Sequence, residues 1–222
     1  MRVTHLHLQT KKIYQIGDLS PVKNLTVLYL YNNRLEKLER LESVPTLKML
    51  YLQKNRIQNI SGLEHLKSLR KLYLSRNRIS VIENLNKLPK LEELHVDRQN
   101  LESHQNLVFD PRTCHALSKS LCILNTSHNR MLRLGPLQEC KRLVRLNVCG
   151  NMLDDFHGDV LPTVMKLSCL QEVDTRLNPF IATEQRHWQH LVATCVGNVD
   201  LVDGKFVNDT NRTLIKSMKM SF

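Results

Sequence analysis

The stretches LKMLYLQKNRIQNI (residues 47–60) and LRKLYLSRNRISVI (residues 69–82) decide the fold. They match at a spacing of 22 residues: Leu47, Leu50, Leu52, Asn55, Ile57 and Ile60 return as Leu69, Leu72, Leu74, Asn77, Ile79 and Ile82. Upstream, Leu25, Leu28, Leu30, Asn33, Leu35 and Leu38 hold the same register, and before them Val3, Leu6, Leu8, Lys11, Ile13 and Ile16. Downstream come Leu91, Leu94, Val96, Gln99 and Leu101. A longer interval leads to Leu121, Leu124, Thr126, Asn129, Met131 and Leu134, then to Leu143, Leu146, Val148, Asn151 and Leu153, and finally to Leu170, Val173, Thr175 and Asn178. The turn positions are separated by 22, 22, 22, 22, 30, 22 and 27 residues.

Leu-x-Leu alternation predicts a short strand with its leucines facing inward. The Asn turns the chain and offers its amide to neighbouring loop backbone. The apolar positions after it fill the rest of the coil's cross-section. One coil cannot bury its own leucines, so neighbours must stack. The pattern is identified as the leucine-rich repeat. It predicts an α/β solenoid with a curved parallel sheet of about eight strands on the concave face, and turns, 3-10 segments and short helices on the convex face.

Residues 1–177 read as repeats, with an irregular long repeat over 99–129. Within it, Asp110 followed by Pro111 predicts a helix N-cap and first helical residue, with Leu117 and Leu121 turned to the core. Val160, Val164 and Leu167 predict a second helix in the 27-residue interval. After Asn178-Pro179-Phe180, helical spacing of Trp188, Leu191, Val192 and Cys195 and a turn at Leu201-Val202-Asp203-Gly204-Lys205 predict a C-terminal cap over 178–207. Residues 208–222, with Leu214, Ile215 and Met218, form a tail that reads as a short basic helix. The start shows no equivalent of that cap: Met1 lies two residues before the first core position, so either the first strand is exposed or the chain lacks a cap that other versions have.

The chain has 222 residues, of which 41% are hydrophobic, enough to build a core and to exclude a disordered tail. Its net charge is +11, and residues 1–100 hold most of it, with 18 basic against 9 acidic side chains. No apolar run is long enough to cross a bilayer, and the start lacks a hydrophobic leader. The six cysteines form no C-x-x-C pair, so reduced thiols and a cytoplasmic location are expected. His5 and His7 share a strand face with no third ligand near them, so neither a metal nor a cofactor is expected. No phosphate loop, nucleophile elbow or carboxylate pair is present, which points away from an enzyme.

Side chains beside the strand leucines point to the concave face. The row four before each turn position reads His7, Tyr29, Tyr51, Tyr73, His95, Asn125, Asn147, Asp174. Tyr31, two before its turn, lies beside Tyr29 and Tyr51. Such amphipathic rings on a rigid sheet read as partner-binding anchors. Arg34, Lys54, Arg56, Arg76, Arg78, Arg98 and Arg130 flank the turns and predict a basic rim along one edge, suited to an acidic protein or to nucleic acid.

The N-terminal units, L-x-x-L-x-x-L-x-L-x-x-N-x-I-x-x-I, resemble the 22-residue subclass found in the nuclear regulatory subunit of protein phosphatase 1, the outer-arm dynein light chain and a spliceosomal leucine-rich protein. Asn178-Pro179 to Val202-Asp203-Gly204 is similar to that subclass's cap, with Arg186-His187 where Tyr-Arg is usual. The irregular part is more specific. Glu93-Leu94-His95-Val96-Asp97-Arg98-Gln99-Asn100-Leu101, Leu107 to Thr113 and Lys119 to Asn125 resemble the testis and centrosomal type of leucine-rich-repeat regulatory subunit of protein phosphatase 1. The resemblance implies a non-catalytic scaffold that binds the phosphatase catalytic subunit and gamma-tubulin or another cytoskeletal protein, at the centrosome, microtubule-organising structures or a cilium. The phosphatase docking peptide is absent, since Arg2-Val3-Thr4-His5 ends in His, so contact would use the concave face. The alternatives are an RNA or ribonucleoprotein binder and a tubulin binder of the axonemal dynein light-chain kind.

Overall fold

A computed structural model of the chain describes residues 3–194, 199–210 and 212–213. Eight three-residue strands, one per coil, stack in parallel: β1 (His5–His7), β2 (Val27–Tyr29), β3 (Met49–Tyr51), β4 (Lys71–Tyr73), then past β5 (Val81–Ile82) to β6 (Glu93–His95), and past β7 (Val108–Phe109) to β8 (Ile123–Asn125), β9 (Arg145–Asn147) and β10 (Glu172–Asp174). The register aligns Leu6, Leu28, Leu50, Leu72, Leu94, Leu124, Leu146 and Val173 in one inward file. All but Leu6 are buried. The sheet has ten strands rather than the eight that the repeats supply. β11 (Leu201–Val202) continues it parallel to β10, and β12 (Lys205–Phe206) returns antiparallel across the tight turn at Asp203-Gly204.

The opposite side carries what the shorter and longer units have room for. Three-residue and five-residue 3-10 turns occupy Ser20–Val22 and Gly135–Glu139. The long repeat adds a feature that repetition hides: β5 and β7 pair in parallel as a second, two-stranded sheet. β7 leads into α1 (Pro111–Leu117), which begins where Asp110 and Pro111 place it. The Asp110 carboxylate accepts from the Thr113 N–H at 2.9 Å, and Leu117 and Leu121 are buried. That hydrogen bond holds the Asp110 carboxyl below its ordinary range. Asp110→Ala is expected to weaken the helix start, read as a lowered denaturant midpoint with unchanged slope. The second predicted helix is also present. A π-helical turn over Phe156–Val160 runs into α2 (Leu161–Lys166), with Val160, Val164 and Leu167 buried.

After the last repeat strand come α3 (Phe180–Thr183) and α4 (His187–Thr194). Phe180, Leu191 and Val192 are buried against the end of the solenoid, and the Trp188 indole N–H donates to the Val202 carbonyl at 3.2 Å. Cys195, Leu214, Ile215 and Met218 lie outside the described residues.

Two backbone devices hold the coils in register. The first is an internal amide ladder. Asn33, Asn55, Asn77, Asn129, Asn151 and Asn178 each donate from Nδ2 to the carbonyl three residues earlier and to a carbonyl of the preceding coil. Each Oδ1 accepts a backbone N–H from the preceding coil. Gln99 serves in the same way through its longer side chain, donating to Leu74 and Val96 and accepting from Ile79. The second device is conformational. The residue before each turn position is left-handed in every coil: Thr10, Asn32, Lys54, Arg76, Arg98, His128, Gly150 and Leu177 have φ between 55° and 67°.

Candidate functional site

β1 to β4 and β6 bring His7, Tyr29, Tyr51, Tyr73 and His95 into one file, because each sits at the same register position on consecutive parallel strands. Strands about 4.8 Å apart put flat side chains at stacking distance. The centroids are 4.5, 4.8, 4.5 and 4.9 Å apart, with interplanar angles of 8°, 18°, 5° and 20°. The five rings form one continuous stack. The three tyrosines are half-buried, and the Tyr51 hydroxyl lies 3.9 Å from Met49 Sδ. Tyr31 stands beside the stack, 37% exposed, and the Tyr29 and Tyr31 hydroxyls make no hydrogen bond to another described residue.

The stack ends on a group that pattern reading did not single out. Glu93 accepts from the Tyr73 hydroxyl at 2.8 Å, pairs with Lys71 Nζ at 2.7 Å and faces His95 Nε2 at 2.9 Å. Burial alone would raise the Glu93 carboxyl, but the hydrogen bonds from Lys71, Tyr73 and His95 outweigh it and hold it below the usual range. Lys71 is raised, chiefly by its hydrogen bond to Glu93. Tyr73 is raised well above an ordinary phenol, first by burial and then by donating to Glu93. Tyr73 is thus a fixed donor that locks the fourth ring. Comparing charged positions at the 22-residue offset would have paired Lys71 with Glu93 in advance.

Beyond the fifth coil the face changes character. Asn125, Asn147 and Asp174 replace the rings, and each folds its side-chain oxygen onto the N–H two residues ahead, of Ser127, Cys149 and Arg176. Asp97 accepts from Ser75 Oγ at 2.5 Å and from Asn125 Nδ2 at 3.3 Å. These groups are satisfied within the sheet. The ring-bearing half, by contrast, holds a trough of about 510 Å³ lined by Tyr29, Tyr31, Tyr51, Gln53, Lys54 and Arg76, with Asn32 and Ser75.

Of the cations flanking the turns, Lys54 and Arg76 line this trough. Lys54, Arg56, Arg76, Arg78, Arg98 and Arg130 are exposed, Arg34 is half-buried, and none of the seven pairs with a described carboxylate. Lys71 beside the stack, and Arg70, Arg112, Arg133, Arg145, Arg176 and Arg212, do. Arg34 leans away from the trough over the Tyr14 ring, 5.3 Å from its centroid, and its guanidinium contacts the Tyr14 hydroxyl. Lys54, Arg76 and Arg98 are three of the left-handed residues, at φ 56°, 57° and 55°. For a side chain other than Gly or Asn that conformation costs on the order of 1 kcal/mol each.

No group of three or more His, Cys, Asp or Glu able to hold a metal occurs among the described residues. Burial pushes the Cys114 and Cys140 thiols up to about 12, far from nucleophilic. No helix of the described residues is long and apolar enough to cross a membrane.

The family described as leucine rich repeat matches residues 23–79 and 45–101. Among solved structures, an internalin (inlF) from Listeria monocytogenes superposes with a TM-score of 0.68 at 20% identity, over 89% of this chain and 52% of that one. Internalin C2 of the same organism gives 0.65 at 22% identity, over 79% and 72%. The leucine-rich repeat domain of APL1B gives 0.60 at 17%, over 90% and 63%. This chain spans about half the length of the inlF chain. At these identities the likeness is one of fold: the architecture is the leucine-rich-repeat solenoid.

Proposed function

We propose that this leucine-rich-repeat solenoid is a non-catalytic scaffold that docks protein partners on the ring-bearing half of its sheet. The observation that carries the reading is the stack from His7 to His95 beside turn-flanking cations that form no ion pair among the described residues. Rigid rings present contact area at little cost in side-chain entropy, and unpaired cations steer and orient an oppositely charged surface. Hydroxyl-bearing edges supply directional contacts between them.

The finer reading rests on the irregular repeat's resemblance to phosphatase regulatory subunits: this protein binds the catalytic subunit of protein phosphatase 1 and gamma-tubulin at microtubule-organising structures in the cytoplasm. Its partner contacts are His7, Tyr29, Tyr31, Tyr51, Tyr73 and His95, with the seven rim cations beside them. Purified phosphatase catalytic subunit and gamma-tubulin provide the test, titrated against the wild type and Tyr51→Ala/Tyr73→Ala. The double variant is expected to weaken binding by at least about tenfold. It should stay folded, because each lost ring contact is worth only about 1 kcal/mol. Undiminished binding by a folded variant removes this face as the site. Failure of both proteins to bind the wild type removes the phosphatase reading.

A further inference from the structure

We propose that the occupant of this face is an extended, carboxylate-rich polypeptide segment, lying lengthwise in the trough between the tyrosine stack and the cation row of coils two to five. The proposal rests on the docking-face reading and specifies its chemistry. A basic, aromatic surface would ordinarily admit single-stranded nucleic acid as readily, but that mode needs bare ring faces on which bases can stack. Here Tyr29, Tyr51 and Tyr73 each have both faces covered by neighbours within 4.9 Å at angles of 20° or less. What the stack offers outward is its hydrogen-bearing rim, the positive part of the ring quadrupole, together with the Tyr29 hydroxyl and, beside it, that of Tyr31. Both hydroxyls are donors to a carboxylate.

The charges agree. Lys54 and Arg76 line the trough with no acidic residue among its walls, and Arg56, Arg78 and Arg98 are exposed at the neighbouring turn positions. The two carboxylates at the far end are taken up internally, Glu93 by Lys71, Tyr73 and His95, and Asp97 by Ser75 and Asn125. The backbone fixes where these cations stand. Coil two has Asn and coil seven has Gly at the left-handed position, both of which accept positive φ readily. Coils three, four and five keep a Lys and two Arg there against that preference. Thr10, His128 and Leu177 hold the same conformation in coils one, six and eight, so the left-handed turn belongs to every coil, and what sets coils three to five apart is that its occupant is a cation.

This makes binding and stability move in opposite directions, which a purely structural role would not do. Fluorescein-labelled hexaglutamate and a dye-labelled oligouridine of a dozen nucleotides are titrated by anisotropy against three proteins at low salt. These are the wild type, Lys54→Asn/Arg76→Asn/Arg98→Asn, and Lys37→Asn/Lys87→Asn/Lys90→Asn, which removes the same charge from exposed positions elsewhere. Hexaglutamate is expected to bind the wild type and the second variant. It should lose at least about tenfold on the first, whose thermal midpoint holds or rises. Absence of hexaglutamate binding to the wild type overturns the proposal, as does equal loss in both variants, which would mean bulk charge alone. Oligouridine binding tighter than hexaglutamate overturns it in favour of nucleic acid. If partners are lost with Tyr51→Ala/Tyr73→Ala while hexaglutamate fails to bind, the docking face stands and only the acidic chemistry falls.

Discussion

Asn77→Ala is expected to lower the unfolding free energy by about 3 kcal/mol, more than any surface substitution on this chain. Asn77 is 1% exposed. Its Nδ2 donates to the Leu52 and Leu74 carbonyls at 3.0 and 2.8 Å, and its Oδ1 accepts the Ile57 N–H at 3.1 Å. Alanine strips all three. The two carbonyls each keep a second amide donor, from Asn55 and Gln99, but the Ile57 N–H is left buried with no acceptor. An orphaned donor costs about 1–3 kcal/mol and each lost carbonyl bond about 1. Asn77→Asp is the sharper variant, because it is nearly isosteric. It keeps the acceptor for Ile57 but turns an oxygen toward two carbonyl oxygens inside the core. Burial and those dipoles raise its carboxyl pKa above the unfolded value. Its instability should therefore grow as pH rises through the ordinary carboxylate range and ease below it. Denaturant melts of both variants at neutral and acidic pH check the pair; a flat pH response of Asn77→Asp would contradict the ladder's donor role.

The ladder also shows why so much of the architecture can be read from the chain. Period, turn residue and inward leucine are all set within one coil, and stacking repeats them, so the strand file from Leu6 to Val173 and the ring file from His7 to His95 follow from spacing alone. Asp110-Pro111 is legible for the same reason, since a cap acts within one turn. What escapes is whatever depends on two coils meeting outside the repeat. The β5–β7 pair joins Val81 to Val108 across an insertion with no period to set its register. Asp159, buried in the π-helical turn, accepts the Leu134 and Gly135 N–H groups at 2.6 and 2.9 Å and so caps a 3-10 turn of the preceding coil. Glu93 is legible as a charge at the 22-residue offset from Lys71 but not as the anchor of Tyr73, whose hydroxyl reaches it diagonally across two strands. The left-handed Lys54, Arg76 and Arg98 carry no Gly or Asn to announce them; only the requirement that every turn share one backbone shape imposes that conformation.

The same logic predicts that Asp203→Ala opens the end of the molecule without melting its beginning. In the interior, the N–H that follows each strand donates to a carbonyl of the next coil: Leu52 to Tyr73, Leu74 to His95, Val148 to Asp174. At the last repeat no next coil exists, and Thr175, fully buried, donates its N–H to the Asp203 carboxylate at 2.6 Å and its hydroxyl to the same group at 3.0 Å. The carboxylate stands in for a missing carbonyl, while His187 Nε2 lies 3.3 Å from its other oxygen and Trp188 ties α4 to Val202. Alanine leaves two buried donors unpaired and is expected to cost about 3 kcal/mol. Asparagine retains one acceptor oxygen and should cost distinctly less. Because each coil contacts only its neighbours, the loss is local. Hydrogen exchange should quicken over β10 and β11 while β2 to β4 keep their protection. Equal quickening along the whole sheet would mean that the solenoid unfolds as one cooperative block and that Asp203 is not an end device, since only an end can open alone.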